Sequence, residues 1–142
     1  MAGPGLFFED LSIGQNAEMT RTVDEADIAA FAAVSGDDNP VHLDAAFAAT
    51  TPFKERIAHG MLSASYISAL IGTRLPGPGA IYISQTLAFK RPVKIGDMVT
   101  TRVEITALHA DKARATFQCT CLVNAKPVLE GEAVVMAPRR PV

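Results

Sequence analysis

The chain contains no tryptophan and only two cysteines, and its aromatic share is 6%. Cys119 and Cys121 lie two residues apart in an alternating, strand-like run. Side chains so spaced point the same way along one strand and do not readily bridge. They read as reduced core residues, which fits a thiol-reducing, cytoplasmic setting. A metal site needs more ligands than this segment offers, and His42, His59 and His109 have no metal-ligand spacing. Charge of one sign is also missing: 13 basic against 15 acidic residues give a formal −2. A nucleic-acid binder would carry a basic stripe, so none is expected as partner. No apolar run approaches the roughly 20 residues of a membrane span. The opening residues, Met1 to Asp10, lack the basic and apolar regions of a signal peptide. No Gly-rich phosphate loop follows a strand, and Gly-x-Ser-x-Gly is absent. Neither cysteine has a histidine nearby in sequence to activate it. The expectation is no metal and no cofactor.

What is present is apolar. Hydrophobic residues make up 49% of the 142 and charged residues 20%. That is greasy for one small domain, residues 1–142 with a core over about 7–137, and it points to surface covered by a second copy. Helical patterns come first and strands afterwards, an α+β order. A strand over Ala17 to Arg21 leads into Thr22-Val23-Asp24-Glu25, which has the form of a capping box. The helix that follows runs to about Val34 and turns Ile28, Phe31, Ala32 and Val34 inward, and Gly36 ends it. Asp44 starts or extends a short helix over Ala45 to Ala49. Gly60 to about Gly72 is hydrophobic nearly all round and reads as a buried central helix. Strands are expected over Ala80 to Phe89, Met98 to Leu108, Ala115 to Val123 and Val128 to Ala137. Turns at His109 to Lys112 and Asn124 to Pro127 make them an antiparallel meander around that helix.

One stretch carries chemistry: Ser35-Gly36-Asp37-Asp38-Asn39-Pro40-Val41-His42. Asn39 and Pro40 read as an N-cap followed by proline at the first helical position. His42 then falls on a short first turn and Asp37 in the loop before it. A carboxylate and an imidazole so placed are the types that activate water by general acid–base catalysis. The same residues also form turns, so a simple helix-to-helix connection is the competing reading.

The string resembles the hydratase-2 signature of MaoC-like dehydratases, and within them the (R)-specific enoyl-CoA hydratases. Ala58-His59-Gly60-Met61-Leu62, Ser84-Gln85-x-Leu87-x-Phe89-Lys90-x-Pro92-Val93, Gly96-Asp97, Glu104-Ile105-Thr106-Ala107 and Gly131-Glu132-Ala133 match in order. The resemblance spans roughly Phe7 to Ala137. It implies a hot-dog fold and a homodimer joined sheet edge to sheet edge. It also implies syn addition of water to a trans-2-enoyl-CoA, giving the (R)-3-hydroxyacyl-CoA, with polyhydroxyalkanoate precursors as one destination. Asp37 is the expected base and His42 the proton donor or a shared water ligand, with exchanged roles open because a coupled pair titrates as a unit.

Gly60 opens the central helix, where amides are unpaired and the dipole is positive, so its N–H suits a thioester oxyanion. A plain helix-start spacer is the alternative, and the resemblance favours the first. Ser68, two turns on, aligns with a serine that the resembled family places beside the dyad, a hydroxyl bonded to the carbonyl four residues back being the alternative, and Asn39 is expected to hold and orient the turn. His59 reads as structural or gating. Lys90 and Arg91, with Lys94, Lys54 and Arg56, are candidates for the coenzyme A phosphates, the coenzyme being part of the substrate. Ile71, Val134 and Val135 are candidates for the acyl pocket. Rival readings are a dehydratase on another acyl thioester, including one on acyl-carrier protein, a hot-dog thioesterase, and a non-catalytic hot-dog partner subunit.

Overall fold

A computed structural model describes residues 4–142, so Met1, Ala2 and Gly3 of the opening segment lie outside it. A 3₁₀ turn at Phe8–Asp10 precedes strand β1, Asn16–Thr22. Helices α1, Glu25–Ser35, α2, Pro40–Leu43, α3, Ala45–Ala49, and α4, Gly60–Thr73, follow. The strands β2, Ile81–Gln85, β3, Ala88–Phe89, β4, Met98–His109, β5, Arg114–Val123, and β6, Lys126–Met136, complete the chain. One antiparallel sheet runs β1-β4-β5-β6-β2, with β3 also paired to β6. It wraps α4, and the result is the α+β hot-dog arrangement.

The wrap follows from the pattern of side chains. In β4, Val99, Thr101, Val103 and Ile105 are all buried, and between them lie half-buried polar residues. In β5 the alternating buried row is Ala115, Phe117, Cys119 and Cys121, with Thr116 also buried. The register Val103↔Cys119↔Gly131 stacks these faces into one apolar wall. Against it α4 lays Leu62, Tyr66, Ile67, Leu70 and Ile71. Each of the leucine and isoleucine side chains contributes about 1.5–3 kcal/mol by leaving water. Both cysteines are free and buried, and burial pushes the thiol of Cys119 up to about 11, so neither is a reactive thiolate.

Several expectations need correction. The capping box is formed by Asp24 and Asp27, not Thr22 and Glu25: Asp27 N–H donates to Asp24 at 2.8 Å, and Asp24 N–H to Asp27 at 3.2 Å. Thr22 is still strand, paired with Met98, so the helix starts two residues later. Val34 points outward, 84% exposed, in the last turn of α1, while Phe31 and Ala32 just before it are half-buried. Helix α4 is not buried all round: Met61, Ser65, Ser68 and Ala69 are exposed, since the sheet covers one side of it. The strand read over Ala80 to Phe89 is two strands, with Thr86 and Leu87 between them. A register shift between Ile105 and Ala107 takes Ala107 out of the buried row.

Candidate active site

The site is built where α1 ends. Gly36 adopts φ +79°, the left-handed cap conformation that glycine adopts without a Cβ clash, and its N–H returns to Ala32. The chain then reverses through Asp37 and Asp38. Asn39 caps α2 by accepting from Val41 N–H at 3.1 Å, and Pro40 takes the first helical position. Asp37 is exposed, and one of its carboxylate oxygens accepts from Asn39 N–H at 3.2 Å. Asp44 caps α3 through Ala46 and Phe47 N–H, which gives that carboxylate a structural task.

His42 is 8% exposed. Its Nδ1–H donates to the Ile57 carbonyl at 2.8 Å, which fixes the tautomer and leaves the lone pair on Nε2. Burial holds its pKa below the ordinary imidazole value of 6.5. The bond to Ile57 works against that, His59 adds to it, and Asp37 works against it. The ring is therefore neutral at pH 7, and Nε2 is a proton acceptor before it can be a donor. Arg56 Nε donates to the His42 carbonyl at 2.7 Å and its guanidinium also pairs with Glu25 of α1. Arg56 thus supports the dyad and is not a free cation for a phosphate.

His59, 2% exposed, lies against both members. Its ring stacks on His42 with centroids 3.8 Å apart and planes at 28°, and Phe31 packs on it at 4.9 Å. Its Nε2–H donates to the Asp37 carbonyl at 2.9 Å. Ligand-type atoms of Asp37, His42 and His59 lie within 4.8 Å of one another. The stack tells against a shared metal ion, because a metal takes imidazole lone pairs in the ring plane, and near-parallel planes do not converge on one point. The sequence reads His59 as structural or gating, from its place directly before Gly60 in the Ala58-His59-Gly60-Met61-Leu62 stretch.

Gly60 is the first residue of α4, with His59 at the N-cap position. A Cβ on Gly60 would stand 2.7 Å from the Phe89 ring, so glycine here lets Phe89 lie over the helix start. A cavity of about 420 Å³ opens beside it, lined by Phe53, Ile57, His59, Gly60, Phe89, Lys90 and Arg91, among others.

The match to known proteins decides the family. The MaoC-like domain model fits residues 10–134. The chain belongs to the MaoC-like dehydratase family. A relative from Rhodospirillum rubrum, an (R)-specific enoyl-CoA hydratase, is 56% identical over 134 residues, 94% of this chain and 93% of that protein. Among solved structures, the R-hydratase PhaJ1 of Pseudomonas aeruginosa in its unliganded form superposes with TM-score 0.90 at 52% identity, covering 96% of this chain and 88% of that one. The (R)-hydratase from A. caviae involved in PHA biosynthesis gives 0.89 at 50%, covering 92% and 99%.

Within this MaoC-like frame the remaining sequence candidates divide. Lys90 and Arg91 line the cavity, with Arg91 also donating to the Pro127 carbonyl at 2.7 Å. Lys94 pairs with Glu55 at 3.5 Å, and Lys54 is exposed, in the left-handed conformation. Ser68 is exposed on α4, and Ile71 is 1% exposed in the core. Val134 is half-buried in β6 opposite Ser84, and Val135 is wholly buried. None of these four lines the cavity, or a second one of about 400 Å³ between Phe31, Val34, Leu62 and Tyr66. The reason is rotational: Ile71 falls on the sheet side of α4 and Ser68 on the solvent side. Met61 lines the first cavity, and Phe31 and Leu62 line the second.

Proposed function

We propose that the protein hydrates trans-2-enoyl-CoA thioesters to (R)-3-hydroxyacyl-CoA, and reverses the reaction. The observation that supports this most is the pairing of an exposed carboxylate with a buried, neutral imidazole whose Nε2 is left without a protein partner. Water held between Asp37 and His42 Nε2 attacks C3 of the enoyl group, and the pair takes its proton. The C2–C3 π electrons move toward the thioester oxygen, giving an enolate. The Gly60 amide, at the positive end of α4, stabilises that charge. Collapse of the enolate takes a proton at C2 from the same pair, on the face that water entered. Addition is therefore syn, and no external oxidant, reductant, metal or cofactor enters the balance. On this reading His42 accepts first and donates second, one of the two orders the dyad leaves open.

The chemistry of the ligand extends the reading. The coenzyme A phosphates meet Lys90 and Arg91 at the cavity. A second copy covers the edge strand β2, where Ile81, Tyr82 and Ile83 are exposed beside Phe89 on β3. The edge carries unpaired backbone groups and apolar side chains together, which favours a sheet continued across a homodimer. The protein works in the cytoplasm, and its product suits polymer synthesis from hydroxyacyl units.

The test is loss of the enoyl-thioester ultraviolet absorbance with crotonyl-CoA, wild type against Asp37→Asn, with product passed to an (R)-specific dehydrogenase. Loss that needs Asp37 and yields the (R) product supports the reading. A folded wild type inert toward crotonyl- and longer enoyl-CoAs, yet active on an enoyl acyl-carrier protein, moves the substrate to that carrier. Release of free thiol would indicate a thioesterase. Inertness toward every thioester leaves a non-catalytic partner role.

A further inference from the structure

We infer that His59 is a positioning residue of the dyad, one that sets the place of Asp37 through its backbone and the plane of His42 through its ring. The inference rests on the hydratase reading above for its catalytic consequence, and on geometry for its structural one.

Three observations carry it. First, the loop Ser35 to Asn39 is held almost wholly by bonds within itself and to its immediate neighbours: Gly36 N–H to Ala32, Asp37 N–H to the Ser35 hydroxyl, Asp38 N–H to Gly36, Asn39 N–H to the Asp37 carboxylate. Among the described residues, the His59 Nε2–H to the Asp37 carbonyl is its one hydrogen bond from a distant part of the chain, 22 residues away. An exposed loop with local bonds alone samples many positions, and that bond ties Asp37 to the start of α4.

Second, His59 occupies the N-cap position of α4 and caps nothing. Asparagine, aspartate and serine are the residues that favour that position, because their side chains accept from the free amides of the first turn. Its Nδ1 is buried with no hydrogen-bond partner. A buried lone pair left unmatched costs stability, so helix capping and core packing do not explain this residue. What the ring does make is the bond to Asp37 and the face-to-face contact with His42 at 3.8 Å, with Phe31 closing its other side.

Third, His59 directly precedes Gly60, whose amide the proposed chemistry uses. One residue thereby connects the carboxylate, the imidazole and the helix start. Fixing these against one another is worth a large factor in rate, because a displacement of about 1 Å can cost about a hundredfold.

Two substitutions separate the ring from its bond. His59→Gln keeps an Nε-type donor at comparable reach and loses the stacking face. His59→Phe keeps the stacking face and loses the donor. With crotonyl-CoA, His59→Phe should lower kcat by about tenfold to a hundredfold with KM within about twofold. His59→Gln should recover most of that loss. Amide order parameters of Gly36 to Asn39, measured by NMR on the whole protein, should fall in His59→Phe and return in His59→Gln. A kcat within twofold of wild type in His59→Phe overturns the inference, as does glutamine no better than phenylalanine. The order parameters decide independently of turnover: if wild type consumes no enoyl thioester the hydratase reading fails, and unchanged loop order in His59→Phe overturns the positioning role on its own. A His59→Phe variant that melts far below wild type is replaced by His59→Leu, which also lacks the donor, read by the same two measurements.

Discussion

Asp37 and His42 stand five residues apart and live in opposite surroundings. Asp37 lies in an exposed loop, bonded by its carboxylate to a neighbouring amide. His42 is buried on a helical turn, bonded to Ile57, stacked on His59 and supported by Arg56 through its carbonyl. The difference is a division of labour in solvation. The carboxylate stays in contact with solvent, while burial holds the imidazole pKa below its ordinary value and leaves the ring ready to accept. Two acid–base groups in the same environment would compete for one protonation state, and unlike environments separate them.

The comparison can be broken most directly at its exposed end. Asp37→Asn should lower kcat by about 10²- to 10⁴-fold, the usual range for a positioned acid–base group. The amide oxygen still accepts from Asn39 N–H, so the melting temperature should not move. Parallel loss of stability would show that Asp37 is structural. At the buried end, His42→Ala should lower kcat by a similar factor and also cost about 1–3 kcal/mol in stability, because it empties the stack and leaves the Ile57 carbonyl short of its donor. Denaturant unfolding of the two variants side by side tests the contrast. Equal stability losses would remove it.

A smaller effect is expected at Gly60. Gly60→Ala puts a methyl group 2.7 Å from the Phe89 ring, whose outer end can swing aside. We expect kcat to fall about tenfold if the added methyl also holds the thioester away from the amide, a loss of part of one oxyanion contact. Adding Phe89→Ala relieves the ring contact. Recovery in the double variant would assign the defect to Phe89 and take the oxyanion role away from Gly60.

The pH dependence sharpens the same contrast. Burial of His42 holds its pKa below 6.5, so kcat/KM should stay level as pH falls through 6.5 and decline only below it. The stability sign agrees. Above 6.5 both folded and unfolded chains carry neutral His42. As pH falls below 6.5 the unfolded chain protonates first, and stability is lost down to the folded value. An acid limb centred above 6.5 would contradict the neutral imidazole. The smallest effect is at the rim: Lys90→Ala should raise KM for crotonyl-CoA by up to about fivefold and leave a thioester without the nucleotide phosphates unaffected. Equal changes for both would mean that Lys90 shapes the cavity instead of binding phosphate.

Much of this molecule follows from the sequence directly, because its signals are local. Alternation in Met98 to Val123 dictates which strand faces are apolar, and Gly36, Asn39 and Pro40 each have a backbone preference that fixes the turn holding Asp37. The order of motifs from Phe7 to Ala137 carries the family. Other features depend on which distant residues meet. Nothing in Ala58-His59-Gly60 announces that His59 reaches the Asp37 carbonyl 22 residues back, or that Arg56 serves His42 instead of a phosphate. Ile71 and Ser68 show the same limit: three residues apart on one helix, they are separated by the sheet, which covers the first and leaves the second in water. Periodicity states that a helix has faces. Only the packed sheet decides which face is core, and only the folded loop decides which imidazole is dry enough to stay neutral.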